Sequence, residues 1–241
     1  MSKLRQRVSV LAWDYAAGTQ LRTHQHEEDQ LVYAQRGVMT LTTTTGTWVV
    51  PPQRALWVPR GVDHSIVMSG KVEMRTLYLR GRALLTSCQV LEVSPFLREL
   101  VLDIVRRGGL WVQRGVDRAR FIVLAAELRV TERPGMHLPV LHDTRAMRVM
   151  QALRLTPSAN LDLRGSGLSL RTLQRIVTAE TGISLGRYVR QLRLLRALEL
   201  LASGQKVTAV ALDCGYDSPS AFIAAFKSCF GATPAQYFRS A

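Results

Sequence analysis

The period of the hydrophobic pattern changes along this chain, and the changes divide it. From Val8 to Leu79 the apolar residues fall in short runs, Gln30–Ala34, Gly37–Thr43, Thr47–Val50 and Ala55–Val58, punctuated by glycine and proline. Several short strands separated by turn signals predict a β-barrel. From Ser94 the period lengthens. Ser94 and Pro95 form a helix start, Phe96, Leu97, Leu100, Val101, Ile104 and Val105 make an apolar stripe, and Gly108-Gly109 ends it. A second helix is expected from Asp117 to Val130, with Phe121, Leu124, Ala125 and Leu128 on one face. Residues 137–143 (HLPVLHD) carry a proline and no period, which reads as a linker, and the pattern from Thr144 onward is helical. The expected organisation is a two-domain α+β chain: a barrel over 1–90, helices over 91–136, a linker over 137–143 and an all-α domain over 144–241.

Within the last part, Val207 to Pro234 reads as two short amphipathic helices broken by Gly215. Glycine supplies the permissive backbone of a tight helix-helix turn. Ser218 can cap the second helix and Pro219 suits its first position, where the missing N–H costs nothing. Phe222, Ala225, Phe226 and Cys229 then form the buried face, leaving Pro219, Ser220, Ile223, Ala224 and Lys227 outward. The same grammar appears upstream. Ser169 can cap a helix whose Leu173, Ile176 and Val177 are buried, while Arg171, Gln174 and Arg175 face outward. Arginine forks onto guanine and glutamine pairs with adenine, so this face suits base reading. Leu185 to Ala202 reads as one connecting helix with a stripe at Leu192, Leu195 and Leu198. At 1.5 Å per residue it spans roughly 27 Å, comparable to the ~34 Å between successive major-groove faces.

These residues resemble the C-terminal DNA-binding domain of the AraC/XylS family of bacterial transcriptional regulators, two helix-turn-helix units joined by a connecting helix. The likeness is strongest over Ala211 to Tyr237, in the order GY-D-S-x-S-x-F-x-x-x-F-K-x-x-F-G-x-T-P-x-x-Y, with support from TLQR at Thr172 to Arg175. It implies a sequence-specific regulator in which Arg171, Thr172, Gln174, Arg175, Ser218, Pro219, Ser220, Ile223 and Lys227 face DNA. One departure falls in the first unit. Where the family has a full helix before the first recognition helix, Ser158 to Gly167 reads SANLDLRGSG. Two glycines within three residues cost on the order of 2 kcal/mol in a helix interior, leaving room for at most one turn.

In the barrel lie Gly18-x5-His24-x-His26-x3-Gln30-x6-Gly37 and Pro59-x-Gly61-x2-His64. These resemble the two cupin motifs, whose histidines and glutamate hold a metal inside the barrel. Here Gln30 takes the place of the carboxylate. His24 and His26 are two apart on a strand, so they share a face that His64 could join. Three imidazoles and an amide suit a divalent transition metal such as Zn²⁺, Ni²⁺ or Fe²⁺. Alternatively they line a pocket that binds an effector by hydrogen bonds, and no cofactor is required. Tyr33, Arg54 and Trp57 are candidates for the same interior, where an aromatic wall and a cation would hold a small anionic or aromatic ligand. Trp57 could equally fill the core.

Charge adds a partner. The formal net charge is +14, and from Arg145 onward 13 Lys/Arg face 5 Asp/Glu, against 19 and 13 before it. Arg148, Arg154, Arg187, Arg190, Arg193 and Arg196 are candidate phosphate neutralisers, or simply a solvated face. Three cysteines at unrelated spacings fit a reducing cytosol, and the absence of a signal peptide or an 18-residue apolar stretch points to a cytoplasmic protein without a membrane partner. The reading is therefore a regulator that binds promoter DNA and senses a small molecule in its barrel. Its helices over 91–136 either dimerise or pack on their own barrel, and RNA polymerase is a further partner if the protein activates. The second reading is a metal-dependent cupin enzyme with an accessory helical domain, although no P-loop, dinucleotide fingerprint or nucleophile-base arrangement is present.

Overall fold

The computed structural model describes residues 7–81, 83–113, 115–130 and 136–239. The chain separates into two compact units, one built from residues 1–43 and 50–132, the other from 44–49 and 133–240.

The first unit is an antiparallel sheet backed by helices. Its elements are β1 (Arg7–Tyr15), β2 (Gln20–His24), β3 (Asp29–Thr43), then, after the strand β4 (Gly46–Val50) taken up below, β5 (Arg54–Val58), β6 (His64–Arg80), β7 (Gln89–Glu92), α1 (Pro95–Arg106), β8 (Leu110–Trp111), α2 (Gly115–Glu127) and β9 (Arg129–Val130). The strand order is β8-β1-β6-β3-β5-β7-β9, with β2 also laid against β6. The long strand β6 organises this sheet. Its C-terminal half pairs with β1, Val72 opposite Tyr15 and Arg80 opposite Arg7, while its N-terminal end pairs with β2, His64 opposite His24. The register of β3 on β6 shifts around Arg36, next to Gly37 at φ +80°. A Cβ there would stand 2.3 Å from the Lys71 carbonyl, so the close approach requires glycine.

Helix α1 starts where the sequence places it, its Ser94 hydroxyl accepting from the Leu97 N–H at 3.0 Å. Leu97, Val101 and Ile104 of α1 and Phe121 and Leu124 of α2 join Leu31, Tyr33, Trp57 and Leu77 in one core. Both helices therefore pack on their own sheet. Helix α2 ends at Glu127, earlier than expected, because Arg129 and Val130 pair with Glu92 and Leu91 at the edge of β7. The end of the expected helical segment, residues 131–135, lies outside the described residues.

The second unit contains β4, β10 (His137–Pro139), α3 (Thr144–Leu155), α4 (Leu170–Thr181), α5 (Leu185–Ala202), α6 (Val207–Asp213), α7 (Pro219–Phe230) and α8 (Pro234–Arg239). The segment read as a linker thus opens as a strand. His137 pairs with Trp48 and stacks on it, ring centroids 4.4 Å apart, and the backbone of β10 is held by the Tyr188 hydroxyl and the Gln191 amide of α5. Three residues are too few to show a period, so pattern alone could not find them. Helix α5 is the centre of this unit: Leu192, Leu195 and Leu198 are buried, and so are Leu185, Tyr188, Leu194 and Ala197. Buried Glu199 accepts from Arg154 of α3 at 2.7 Å and from Arg196 at 2.9 Å. Phe222, Phe226 and Phe230 of α7 and Tyr237 of α8 form an edge-to-face aromatic column, the geometry that ring quadrupoles favour.

Candidate nucleic-acid interface and barrel cleft

The second unit presents two helices by different means. On α4, Leu173 and Val177 are buried and Arg171, Gln174 and Arg175 are exposed. Ser169 caps the helix through Thr172 N–H at 3.1 Å, and the Thr172 hydroxyl lies 2.9 Å from the Ser169 hydroxyl, so both side chains serve the cap. No helix precedes α4 between residues 156 and 169, where Gly165 and Gly167 have φ of +70° and +69°. The segment is folded nonetheless. The Ser166 hydroxyl donates to the Leu163 carbonyl at 2.6 Å and accepts from the Leu168 N–H at 3.1 Å, and Arg193 reaches the Ala159 carbonyl at 3.4 Å.

Helices α6 and α7 meet at Gly215, φ +74°. A Cβ at this glycine would stand 3.0 Å from the Pro157 carbonyl oxygen, 3.0 Å from Ser158 Cα and 3.1 Å from Arg193 Cζ. The turn of the second unit therefore leans on the segment that replaces the missing helix of the first. Ser218 caps α7, accepting from the Ala221 N–H at 3.2 Å, and Pro219 occupies the first helical position. Ser220, Ala224 and Lys227 are exposed; Pro219 and Ile223 are half-buried. This face carries methyl groups and one cation, with few groups able to hydrogen-bond base edges.

Of the basic residues proposed for phosphates, Arg148, Arg187 and Arg190 are exposed, the last two lining a groove of about 790 Å³ between α5 and α7. Three others are committed inside the unit: Arg154 and Arg196 to Glu199, and Arg193 to the Ala159 and Gly215 carbonyls. The sequence could not separate these, since a cation facing a buried carboxylate and one facing water look alike in composition.

In the first unit, the structure brings His24, His26 and His64 together, with ring centroids 4.4 to 5.4 Å apart and potential ligand atoms all within 4.8 Å. His24 and His64 face each other across the β2–β6 ladder. The loop that carries His26 is tied to that of His64, because Gly61 N–H donates to the His26 carbonyl and buried Asp29 holds Arg60 through its backbone and guanidinium. His24 Nδ1 meets the Arg22 carbonyl at 2.7 Å and His64 Nδ1 the Val62 carbonyl at 2.9 Å. A carbonyl can only accept, so Nδ1 carries the proton and the neutral ring keeps its lone pair on Nε2. Burial lowers the pKa of His26 and of His64; His24 and His64 lower that of His26 further, and for His64 the hydrogen bond to the Val62 carbonyl works against burial while His24 adds to it. Among the described residues, His26 Nε2, His64 Nε2 and Gln30 Oε1 are buried without a hydrogen-bond partner.

His24, His26 and Gln30 line a cleft of about 370 Å³ together with Leu11, Gln20, Leu21, Arg22, Ile66, Met74 and Tyr78, and His64 lies behind it against His24 and His26. The Gln30 amide donates to the Tyr78 hydroxyl at 3.5 Å. Tyr33 and Trp57 do not join them. Tyr33 lies three residues from Gln30, and Trp57 one residue from Val58, the cross-strand partner of Gln30, so both point to the opposite face and belong to the core under α1 and α2; the Trp57 indole donates to the Leu85 carbonyl at 3.2 Å. Arg54 is buried at the far end of β5, where it donates to the Gln53 carbonyl and pairs with Glu92 at 3.8 Å. Of the cleft residues missed from the sequence, Ile66, Met74 and Tyr78 lie on β6 in phase with His64, while Leu11, Gln20, Leu21 and Arg22 come from β1 and β2.

Comparison with known proteins gives this arrangement a family. Residues 164–240 match the family described as "Helix-turn-helix domain", and residues 9–109 match "AraC-like ligand binding domain". The HTH-type transcriptional regulator NimR of Escherichia coli (strain K12) is 34% identical over 97% of this chain and 89% of its own. The chain belongs to the AraC family of transcriptional regulators. The activator RhaR of Pectobacterium atrosepticum is 39% identical over 29% of this chain and 25% of its own. Among solved structures, unsaturated fatty acid-bound ToxT of Vibrio cholerae aligns over 99% of this chain and 97% of its own, at 12% identity and a TM-score of 0.40. The AraC-type chain thus pairs a ligand-binding unit with a DNA-binding unit, and its curated relatives are regulators, which removes the metal-dependent enzyme reading. Among the described residues no helix is long and apolar enough to cross a membrane.

Proposed function

We propose that this AraC-type regulator reads its operator mainly through α4, with Arg171, Gln174 and Arg175 on base edges, while α7 contributes methyl and phosphate contacts through Ser220, Ile223 and Lys227. The observation that carries this is the division on α4 between a buried apolar stripe and an exposed Arg-Gln-Arg face with the chemistry of guanine and adenine recognition. Thr172, Ser218 and Pro219 set the helix starts rather than read bases. Arg148, Arg187 and Arg190 supply phosphate contacts.

The cleft beside the three histidines is the effector site, and effector binding shifts operator affinity by a coupling of ~1–3 kcal/mol, the usual allosteric range. The histidine triad also fits a divalent transition metal: two rings are oriented by backbone carbonyls, burial disfavours the charged form of His26 and His64, and one potential ligand atom of each ring lies within 4.8 Å of the others. Such an ion would fix the three rings relative to one another and offer a positively charged anchor in the cleft. On α2, Val116, Ile122 and Val123 stay exposed after the helix has packed on its sheet, which supports a homodimer formed through this face. The protein works in the cytoplasm and, where it activates, together with RNA polymerase.

Selection of duplexes from a random pool at near-physiological salt tests the DNA reading. Enrichment of a short block that is lost with Arg175→Ala supports it. Binding that follows salt alone, with no enriched sequence, overturns it.

A further inference from the structure

The donor set around the three histidines lacks negative charge, and that absence points to a class of effector. His24, His26 and His64 would ligate as uncharged imidazoles, and Gln30, only 2% exposed, lines the cleft with an Oε1 that has no hydrogen-bond partner among the described residues. Among the described residues, Arg22 is the one formally charged side chain lining the cleft. The nearest carboxylates do not line it: Glu28 is paired with Arg80 at 2.9 Å, and Asp63 is exposed on the loop before His64. A divalent ion held by three imidazoles and an amide would keep its full +2 charge in a partly buried place, next to an arginine. Uncompensated buried charge is unfavourable and draws in a counter-charge.

We infer that the effector is a small organic anion, a carboxylate or an equivalent, which supplies to a metal-loaded cleft the negative charge that Gln30 does not. The walls set the rest of its chemistry. Leu11, Ile66, Met74 and the Tyr78 ring offer an apolar surface beside the polar floor, and Trp13 of β1, 60% exposed, is the cross-strand neighbour of Met74 of β6. The cleft volume of about 370 Å³ suits a molecule of modest size. Gln30 is the specificity-determining residue in this scheme, since a carboxylate in its place would neutralise the ion from inside the protein. The inference rests on the cleft being the sensor site.

The full-length protein, stripped of metal and loaded with Co²⁺, gives the test. About one equivalent per chain should bind, and His26→Ala should lose it, because imidazole ligation is required. Benzoate and octanoate should then shift the visible Co²⁺ spectrum of the wild type, whereas benzamide, the neutral counterpart, should not. In Gln30→Glu the Co²⁺ should remain and benzoate should bind at least ~10-fold more weakly, as expected when one charge-assisted contact is lost. The wild-type comparison of benzoate with benzamide stands even if Gln30→Glu does not fold. No Co²⁺ uptake overturns the inference. So does uptake with no response to either acid, or with equal response to benzoate and benzamide. The sensor reading fails separately, if every acid that shifts the spectrum leaves operator affinity unchanged.

Discussion

The two reading units of the DNA-binding half invert each other's strengths. Around α7 the interior is an aromatic column, Phe222, Phe226, Phe230 and Tyr237, behind an outward face of Ser220, Ala224 and Lys227 that can say little to a base. Around α4 the preceding helix is gone and its place is taken by turns at residues 156–169, yet the outward face carries Arg171, Gln174 and Arg175. The aromatic interior sits with one unit and, on the proposed reading, the chemical vocabulary for bases with the other. Family membership alone would have suggested two equivalent heads.

The most damaging way to break the contrast is to remove its aromatic side. Phe226→Ala deletes a fully buried ring in contact with three other rings, and should cost about 3–5 kcal/mol, read in urea unfolding of the full chain. A cost below 1 kcal/mol would mean the column is not what holds α7. Gly215→Val comes next. A β-branched residue at φ +74° is strained by about 1–3 kcal/mol before any clash is counted, and its side chain would meet Pro157, Ser158 and Arg193. Both units should lose amide-exchange protection together; loss confined to α6 and α7 would show that the turn does not support the first unit.

The vocabulary side breaks through binding. Arg175→Ala should weaken the selected operator by ~1–3 kcal/mol and relax preference at one or two positions, whereas Lys227→Ala should weaken all sequences alike and reduce the salt slope by about 1. Equal behaviour of the two variants would erase the proposed division of labour. The smallest effect is one of pH. Asp143 caps α3 through the N–H groups of Arg145 and Ala146, and the Arg145 guanidinium beside it holds its carboxyl well below the usual carboxylate range. A depressed folded pKa contributes stability that is complete above the unfolded value of about 3.9 and is lost as pH falls through the folded one. The Ser218 cap of α7 has no such titration. Acid should therefore loosen the start of α3 while the start of α7 keeps its exchange protection.

Much of this was legible in the sequence for identifiable reasons. Ser94, Ser169, Ser218 and Pro219 announced their helix starts because caps and first-turn proline act locally, within three residues. The pair Gly165 and Gly167 likewise announced that a helix was missing. Motif order says nothing of strand parity, so it offers Tyr33 for the cleft and leaves Trp57 open between cleft and core: Tyr33 is three residues from Gln30 and faces the other way, and Trp57 fills the core. The partners of Arg154 and Arg193 were illegible since they lie 22 to 45 residues away, at contacts that only the packed helices create, whereas Arg196 meets Glu199 three residues on in the same helix and what could not be read there is the burial of that carboxylate. Strand β10 was missed because its pairing with β4 joins segments about 90 positions apart.

The contact of Gly215 with Pro157 and Ser158 also bears on how such a protein could be re-engineered. Transplanting α6 and α7 from another regulator to change operator choice would replace one wall of the seat on which residues 156–169 rest. The exchangeable module is therefore no smaller than 144–239 and must keep the bonds of Tyr188 and Gln191 to β10, and a graft made at the connecting helix should yield a first reading head that no longer holds its shape.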